Sequence, residues 1–234
     1  MRNAARLLVV VCAWALAGAA FAREPVLVEL FTAQGCASCG AADPLIGKLA
    51  ERPNVIALTW SVDYWDYLGW KDTFAKSEFT DRQRAYDKRF GLQDVYTPQV
   101  IVDGAAQTTG DNTTDVESLV AKALKATAVG PKIRFLPAGR VAVGAGDRRA
   151  GTFEVWLVRY DPKEKDVEIK DGDNRGKTVA RYDVVREVIR LGAWRGSPMT
   201  FKVPPSSEDG LSSLVVVQGT RGGRIVGLAK LAAS

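Results

Sequence analysis

Two thiols three residues apart, in Cys36-Ala37-Ser38-Cys39, carry the most evident chemistry of this chain. At that spacing they can close a disulfide and open it again. A cysteine at the start of a helix faces unpaired backbone N–H groups and the positive end of the helix dipole, which favour thiolate over thiol. Cys36 is therefore the candidate nucleophile. It would attack a substrate disulfide, or be attacked by a substrate thiol, through a mixed disulfide that Cys39 resolves. Ala37-Ser38 adds no formal charge, and Asp43, in the first helical turn, would oppose the thiolate.

Three other readings of the pair compete with exchange. A purely structural disulfide closing so short a loop would contribute only about 2 kcal/mol. A metal site needs two more ligands than one Cys-x-x-Cys supplies, although Cu(I), which accepts soft thiolates, is less easily dismissed than zinc. A redox-inert binding module with a structural disulfide is the third. The chain has no histidine. That removes Ser-His-Asp and Cys-His pairs, His-based zinc sites and imidazole relays, and no cofactor or resident metal is expected.

The N-terminus decides which cysteines remain. Arg2 and Arg6 form a basic region, Leu7 to Ala22 carries no charge, and Ala20-Phe21-Ala22 is a small-x-small cleavage site before Arg23. Residues 1–22 read as a secretory signal peptide that takes Cys12 with it. The uncharged run is shorter than the ~20 residues of a membrane-spanning helix, and no second one follows, so no stable membrane span is expected after its removal. Export puts Cys36 and Cys39 in an oxidising compartment, where disulfides persist. The formal charge of +5 falls further when Arg2 and Arg6 leave. A balance so mild and scattered gives no reason to expect nucleic acid as a partner.

The elements around the pair follow from periodicity. Val26 to Phe31 is an apolar, β-branched run bounded by Pro25 and by Thr32 to Gly35, and reads as a buried strand. Leu45, Ile46 and Leu49 then recur at helical spacing after the cysteines. Val55 to Trp60 is a second strand, which a right-handed crossover would place parallel to the first. Residues 74–90 carry Ala75, Phe79, Tyr86 and Phe90 on one helical stripe. Gln99 to Val102 ends at the turn pair Asp103-Gly104, and Thr114-Asp115-Val116-Glu117 is a capping box opening a further helix. Gly130-Pro131 marks a change of texture. Beyond it come short β-rich runs, from Phe153 to Tyr160, Val167 to Ile169, Thr178 to Leu191, Met199 to Val203, Leu214 to Gln218 and Ile225 to Leu231, separated by turn signals.

Val28-Glu29-Leu30-Phe31-Thr32-Ala33-Gln34-Gly35-Cys36-Ala37-Ser38-Cys39 with Ala42-Asp43 resembles the signature of a family of bacterial secreted, thioredoxin-like proteins, domain of unknown function 1223. Val62 to Asp72 and Phe79 to Gln83 resemble its second and third blocks, and Gly172-Asp173-Asn174-Arg175-Gly176 resembles a turn of its β domain. The resemblance implies a periplasmic or secreted bacterial protein. It also implies a fold of two parts: an α/β thioredoxin-like domain over residues 24–129, then a small antiparallel β-sandwich domain over 131–234. The family usually has Pro-Pro after the second cysteine, where this chain has Gly40-Ala41.

Similarity to thioredoxins in general adds further positions. Pro44 matches their kinking proline five residues after the second cysteine. Thr97-Pro98 matches the cis-proline opposite the active site, which leaves the Thr97 backbone free to pair with an extended substrate; the alternative is a trans proline at a strand start. Glu29 stands close to where thioredoxins carry a buried acid that exchanges a proton with the resolving cysteine; the alternative is a strand-edge glutamate with a hydrated head group. Trp65, within the aromatic cluster Tyr64, Trp65, Tyr67 and Trp70, suits either a peptide groove or a cap over the core. The expected partners are exported protein thiols or disulfides and an unidentified redox partner.

Overall fold

The computed structural model describes residues 25–126, 130–147, 149 and 151–231. The expected signal peptide lies outside the described residues. Among the described residues, no helix is long and apolar enough to cross a membrane.

The chain forms a mixed α/β fold with one large sheet and two small antiparallel ones. Strand β1 (Val26–Thr32) is followed by a 3₁₀ turn (Ala37–Ala41) that runs directly into helix α1 (Ala42–Ala50). Strand β2 (Val55–Ser61) returns parallel to β1, with Val26 opposite Val55 and Phe31 opposite Trp60, as the crossover argument requires. Helix α2 (Ser77–Phe90) ends at Gly91, whose φ of 71° suits the left-handed cap. The hairpin β3 (Gln99–Val102) and β4 (Ala106–Thr109) then adds to the far side of β1.

Helix α3 (Thr113–Lys125) starts one residue before the expected box. Its cap is Asn112, whose side chain accepts from the Asp115 backbone N–H at 3.2 Å, because an Asx side chain competes well for that role.

The C-terminal segment begins with β5 (Ile133–Leu136) and β6 (Arg140–Val143), a hairpin for which the sequence shows no Asn-Gly or Asp-Gly signal. Its turn uses Ala138 and Gly139 at φ 58° and 60°. There follow β7 (Phe153–Asp161), β8 (Lys165–Glu168), β9 (Thr178–Arg181), β10 (Val184–Trp194), β11 (Met199–Lys202), β12 (Ser212–Gly219) and β13 (Ile225–Leu231). The single run expected from Thr178 to Leu191 is broken in two at Tyr182-Asp183, where Asp183 adopts φ 45°. Asp, like Asn, tolerates that region better than most residues.

The large sheet has the order β13-β12-β7-β10-β2-β1-β3-β4. Strands from both sides of Gly130-Pro131 thus share one hydrogen-bonded sheet. The join is short: Val184 pairs with Thr59, the Thr59 N–H donates to Asp183 O at 3.1 Å, and its hydroxyl donates to Tyr182 O at 2.7 Å. The expected boundary divides the two segments in sequence but not in the sheet.

Alternation along the strands assigns the faces. Leu27, Phe31, Leu58 and Trp60 point to the α2 side, where Val158, Tyr160, Leu214 and Val216 of the C-terminal strands join them around Phe79 and Tyr86. Val28, Leu30, Ala57 and Val100 point the other way, under α1 and α3. On that second face the C-terminal strands are covered instead by the small sheet β11-β6-β5, burying Val141, Val143, Phe153, Leu157 and Trp194. A separate sandwich is replaced by a small sheet packed on a shared large one. Full burial of each large apolar side chain is worth about 1.5–3 kcal/mol, so the core common to both segments couples them strongly.

Candidate functional site

β1 is buried along its whole length and delivers the chain to a turn ending at Gly35. Cys36 follows with extended backbone, φ −83° and ψ 112°, as the residue that caps the 3₁₀ turn. Its side chain is bonded to Cys39 in a disulfide, with the two Cα atoms 5.5 Å apart. Both cysteines are 1 % exposed, while Ala37, Ser38, Gly40 and Ala41 face solvent. The N–H of Cys39 donates to Cys36 O at 3.3 Å, closing the loop on itself.

The cis Thr97–Pro98 peptide bond faces this loop. The Ser38 hydroxyl lies 3.4 Å from both Cys36 Sγ and Thr97 O, linking the two chain segments through long contacts. Trp65 is half-buried against the core that holds both cysteines, and its indole N–H donates to Thr97 Oγ1 at 2.8 Å. A Cβ added to Gly35 would stand 3.7 Å from Trp65 Cβ, so the indole-bearing segment passes close to the residue that precedes the cysteine loop. Cys36, Cys39, Trp65, Thr97 and Pro98 therefore assemble into one site.

Glu29 does not join them. It is fully buried, which excludes the hydrated head group, and its carboxylate is held by Arg82 Nε at 2.7 Å, Arg82 Nη2 at 3.2 Å and the Tyr86 hydroxyl. Three residues of strand, about 10 Å, separate it from the end of β1. Arg82 also lies over the Trp60 ring at 4.9 Å and donates to Gln218 Oε1 at 3.1 Å. Burial lowers the Arg82 pKa, but the charges of Glu29 and Tyr86 overcome that and raise it above the ordinary value. Glu29 belongs to an ion-pair network joining α2 to β1 and β12.

Four residues at the site carry no sequence signal of their role. Gln34, fully buried, receives the Trp70 indole N–H at 2.9 Å and donates its own backbone N–H to Asp72 Oδ2 at 2.7 Å. Burial raises the Asp72 pKa, while the N–H groups of Gln34 and Phe74 counter it. Asn174, 4 % exposed, donates Nδ2 to the carbonyls of both Gln34, at 2.8 Å, and Cys36, at 2.9 Å. Arg181 of β9, buried, pairs with Asp43 at the start of α1. In the sequence Asn174 stands out only as part of the Gly172–Gly176 turn; Asp43 and Arg181 lie too far apart for any local pattern. Among the described residues, no group of three or more Cys, Asp or Glu side chains is arranged to hold a metal ion.

A disulfide between a buried strand and a helix start, opposed by a cis X-Pro bond within a mixed α/β sheet, defines a dithiol protein of the strand–loop–helix class. The family described as "Protein of unknown function (DUF1223)" matches residues 27–218, and the chain belongs to it. The crystal structure of protein AGR_C_4864 from Agrobacterium tumefaciens is similar, at 32 % identity and a TM-score of 0.72, covering 91 % of this chain and 96 % of that one. Comparison with curated proteins gives no match.

Proposed function

We propose that this chain is an exported, thioredoxin-like thiol–disulfide oxidoreductase acting in the bacterial periplasm or outside the cell. The observation that carries the reading is the Cys36–Cys39 disulfide at the head of a helical run, facing the cis Thr97–Pro98 bond across Ser38. An extended substrate segment would pair with the Thr97 backbone, and Trp65 would flank it. In the reduced protein, N–H groups of the 37–39 turn favour the Cys36 thiolate. It attacks a substrate disulfide, forms a mixed disulfide and expels one thiolate; Cys39 then attacks Cys36, and the second substrate thiolate leaves. Run backwards, the same steps oxidise a substrate dithiol.

One observation favours a second reading, a redox-inert binding protein with a structural disulfide: both cysteines are almost wholly buried. Exchange requires a local opening that exposes a sulfur. The two readings separate in a Cys39→Ala variant expressed in an exporting cell. Exchange predicts disulfide-linked adducts through Cys36 that dithiothreitol releases. An absence of adducts, together with a wild-type disulfide that resists dithiothreitol until the protein unfolds, favours the binding protein.

A further inference from the structure

The small sheet β11-β6-β5 has two faces of opposite character. Val141, Val143 and Phe201 point into the core beneath it, so by alternation Arg140, Ala142, Thr200 and Lys202 point outward. Ile133 and Phe135 of β5 pack against the same core, which turns Lys132, Arg134 and Leu136 outward as well. Register sets Arg140 directly opposite Lys202, a like-charge pair that destabilises a sheet unless something offsets it.

Residues 131–146 and 195–205, which build this sheet and its loops, carry five cations and no carboxylate, matching the formal +5 of the whole chain. The fold thus gathers a charge that the sequence spreads over two distant segments. Among the described residues, the side chains of Lys132, Arg134 and Lys202 make no ion pair or hydrogen bond, and Arg140 donates only a long one, from Nε to Pro137 O at 3.3 Å. Arg52, Arg84 and Arg190, which are also solvent-exposed, each pair with a carboxylate.

A groove of about 440 Å³ runs along the cationic face. Ala142 and Gly144, in and just after the central strand, form its floor. Lys132 and Arg134 line the β5 side, while Pro198, Met199 and Thr200 line the β11 side. Met199 is 43 % exposed, unusual for so apolar a side chain. One wall is cationic and the other largely apolar, so an occupant that satisfies both has an anionic head beside an apolar part.

We propose that this face docks on a bilayer containing anionic phospholipid, with a headgroup phosphate between Lys132 and Arg134 and Met199 entering the interface beside it. The proposal goes beyond the exchange reading and does not depend on it. The outward face carries no aromatic side chain on which a nucleic-acid base could stack. Three strands of four residues span only about 14 Å by 10 Å, far short of the about 800 Å² per partner that a stable protein interface takes. A bilayer needs no matching shape, and juxtaposed cations gain from its negative surface potential. The small sheet and the core that holds Cys36 and Cys39 lie on opposite faces of the large sheet, so lipid and a thiol partner would not compete for one surface.

The test is co-sedimentation of the signal-free protein with sucrose-loaded vesicles of phosphatidylcholine, with and without one third phosphatidylglycerol, at about 0.1 M salt. Binding is expected only with phosphatidylglycerol and should fall steeply as salt is raised. Each cation near such a surface contributes about a fivefold factor, so Lys132→Gln/Arg134→Gln should weaken binding about 25-fold. Lys88→Gln/Arg89→Gln removes the same charge from the exposed end of α2 and should leave binding unchanged. Met199→Ser should weaken binding while preserving its salt dependence, an effect that a purely ionic partner would not register. All the replaced side chains are exposed, so the variants are expected to fold. No binding to phosphatidylglycerol, or equal loss in the two double variants, overturns the assignment. Tighter binding to a short single-stranded DNA than to the vesicles, indifferent to Met199→Ser, also overturns it and makes the face a nucleic-acid site.

Discussion

Asn174 Nδ2 donates to the carbonyl oxygen of Cys36 at 2.9 Å, so a turn in the C-terminal segment holds the cysteine loop that the N-terminal segment folds. The same nitrogen reaches Gln34 O at 2.8 Å, and Lys177 Nζ fixes the amide from behind by donating to Asn174 Oδ1 at 2.9 Å. One buried amide thereby satisfies two carbonyls in a loop that has no strand partner.

Removing that amide leaves the Gln34 carbonyl without its donor and Cys36 O with the Cys39 N–H alone, at a cost of about 1–3 kcal/mol. Asn174→Ala is expected to lower stability by that amount in urea unfolding and to speed reduction of the native disulfide by dithiothreitol. Asn174→Asp, which keeps the size but loses the donor, should be worse. Unchanged stability and reduction rate in both variants would show that the loop holds itself.

The Glu29–Arg82 pair makes a contrasting prediction. Glu29→Gln strands a nearly buried guanidinium and should cost about 3–5 kcal/mol, read by denaturant unfolding. The folded fraction should exchange disulfides at the wild-type rate, because the carboxylate is committed to α2. A large loss of exchange in fully folded Glu29→Gln would return this residue to the role its position in the sequence suggested.

Trp65 is tied to the site by its indole hydrogen bond to Thr97 and by its backbone and Cβ beside Gly35. If that bond contributes about 1 kcal/mol to the closed arrangement, Trp65→Phe opens it about fivefold more often. Disulfide reduction should accelerate by the same factor, with little change in melting temperature.

Asp103 gives a pH-dependent test. Its side chain accepts the Leu27 N–H at 2.8 Å, and burial raises its pKa from 3.8 to about 6 against the pull of that N–H and of Arg224. The folded state then binds the proton more tightly than the unfolded one. Its contribution is most favourable below about pH 4, declines as pH rises to about 6, and stays low above. Asp103→Asn keeps an acceptor for Leu27 and suits the φ of 49°. The variant should be more stable by about 1–2 kcal/mol at neutral pH and equal to wild type in acid.

These predictions concern residues with different legibility in the sequence. Strand β1, the cysteine pair, helix α1 and parallel β2 follow from periodicity, because each buries a repeating set of apolar side chains on the α2 or the α1 side. The cis Thr97–Pro98 bond is anticipated by comparison with thioredoxins rather than by any pattern in the chain. The sharing of one sheet by both segments is not visible, since it depends on a single parallel rung between Thr59 and Val184. Nor is the support beneath the cysteines: Gln34, Asn174 and Arg181 act through hydrogen bonds to distant partners, and neither composition nor spacing records which acceptor a buried donor will find. Glu29 misleads for a related reason. A polar residue in an apolar strand announces a buried interaction but not its partner, which here is Arg82.

The reduction potential of the Cys36–Cys39 couple tests the central claim most directly. It is measured by equilibrating the signal-free protein with glutathione buffers and counting free thiols by mass after alkylation. An exchange catalyst is expected between about −120 and −270 mV, the span of known thiol–disulfide oxidoreductases. A value below about −300 mV, where structural disulfides of exported proteins lie, contradicts it.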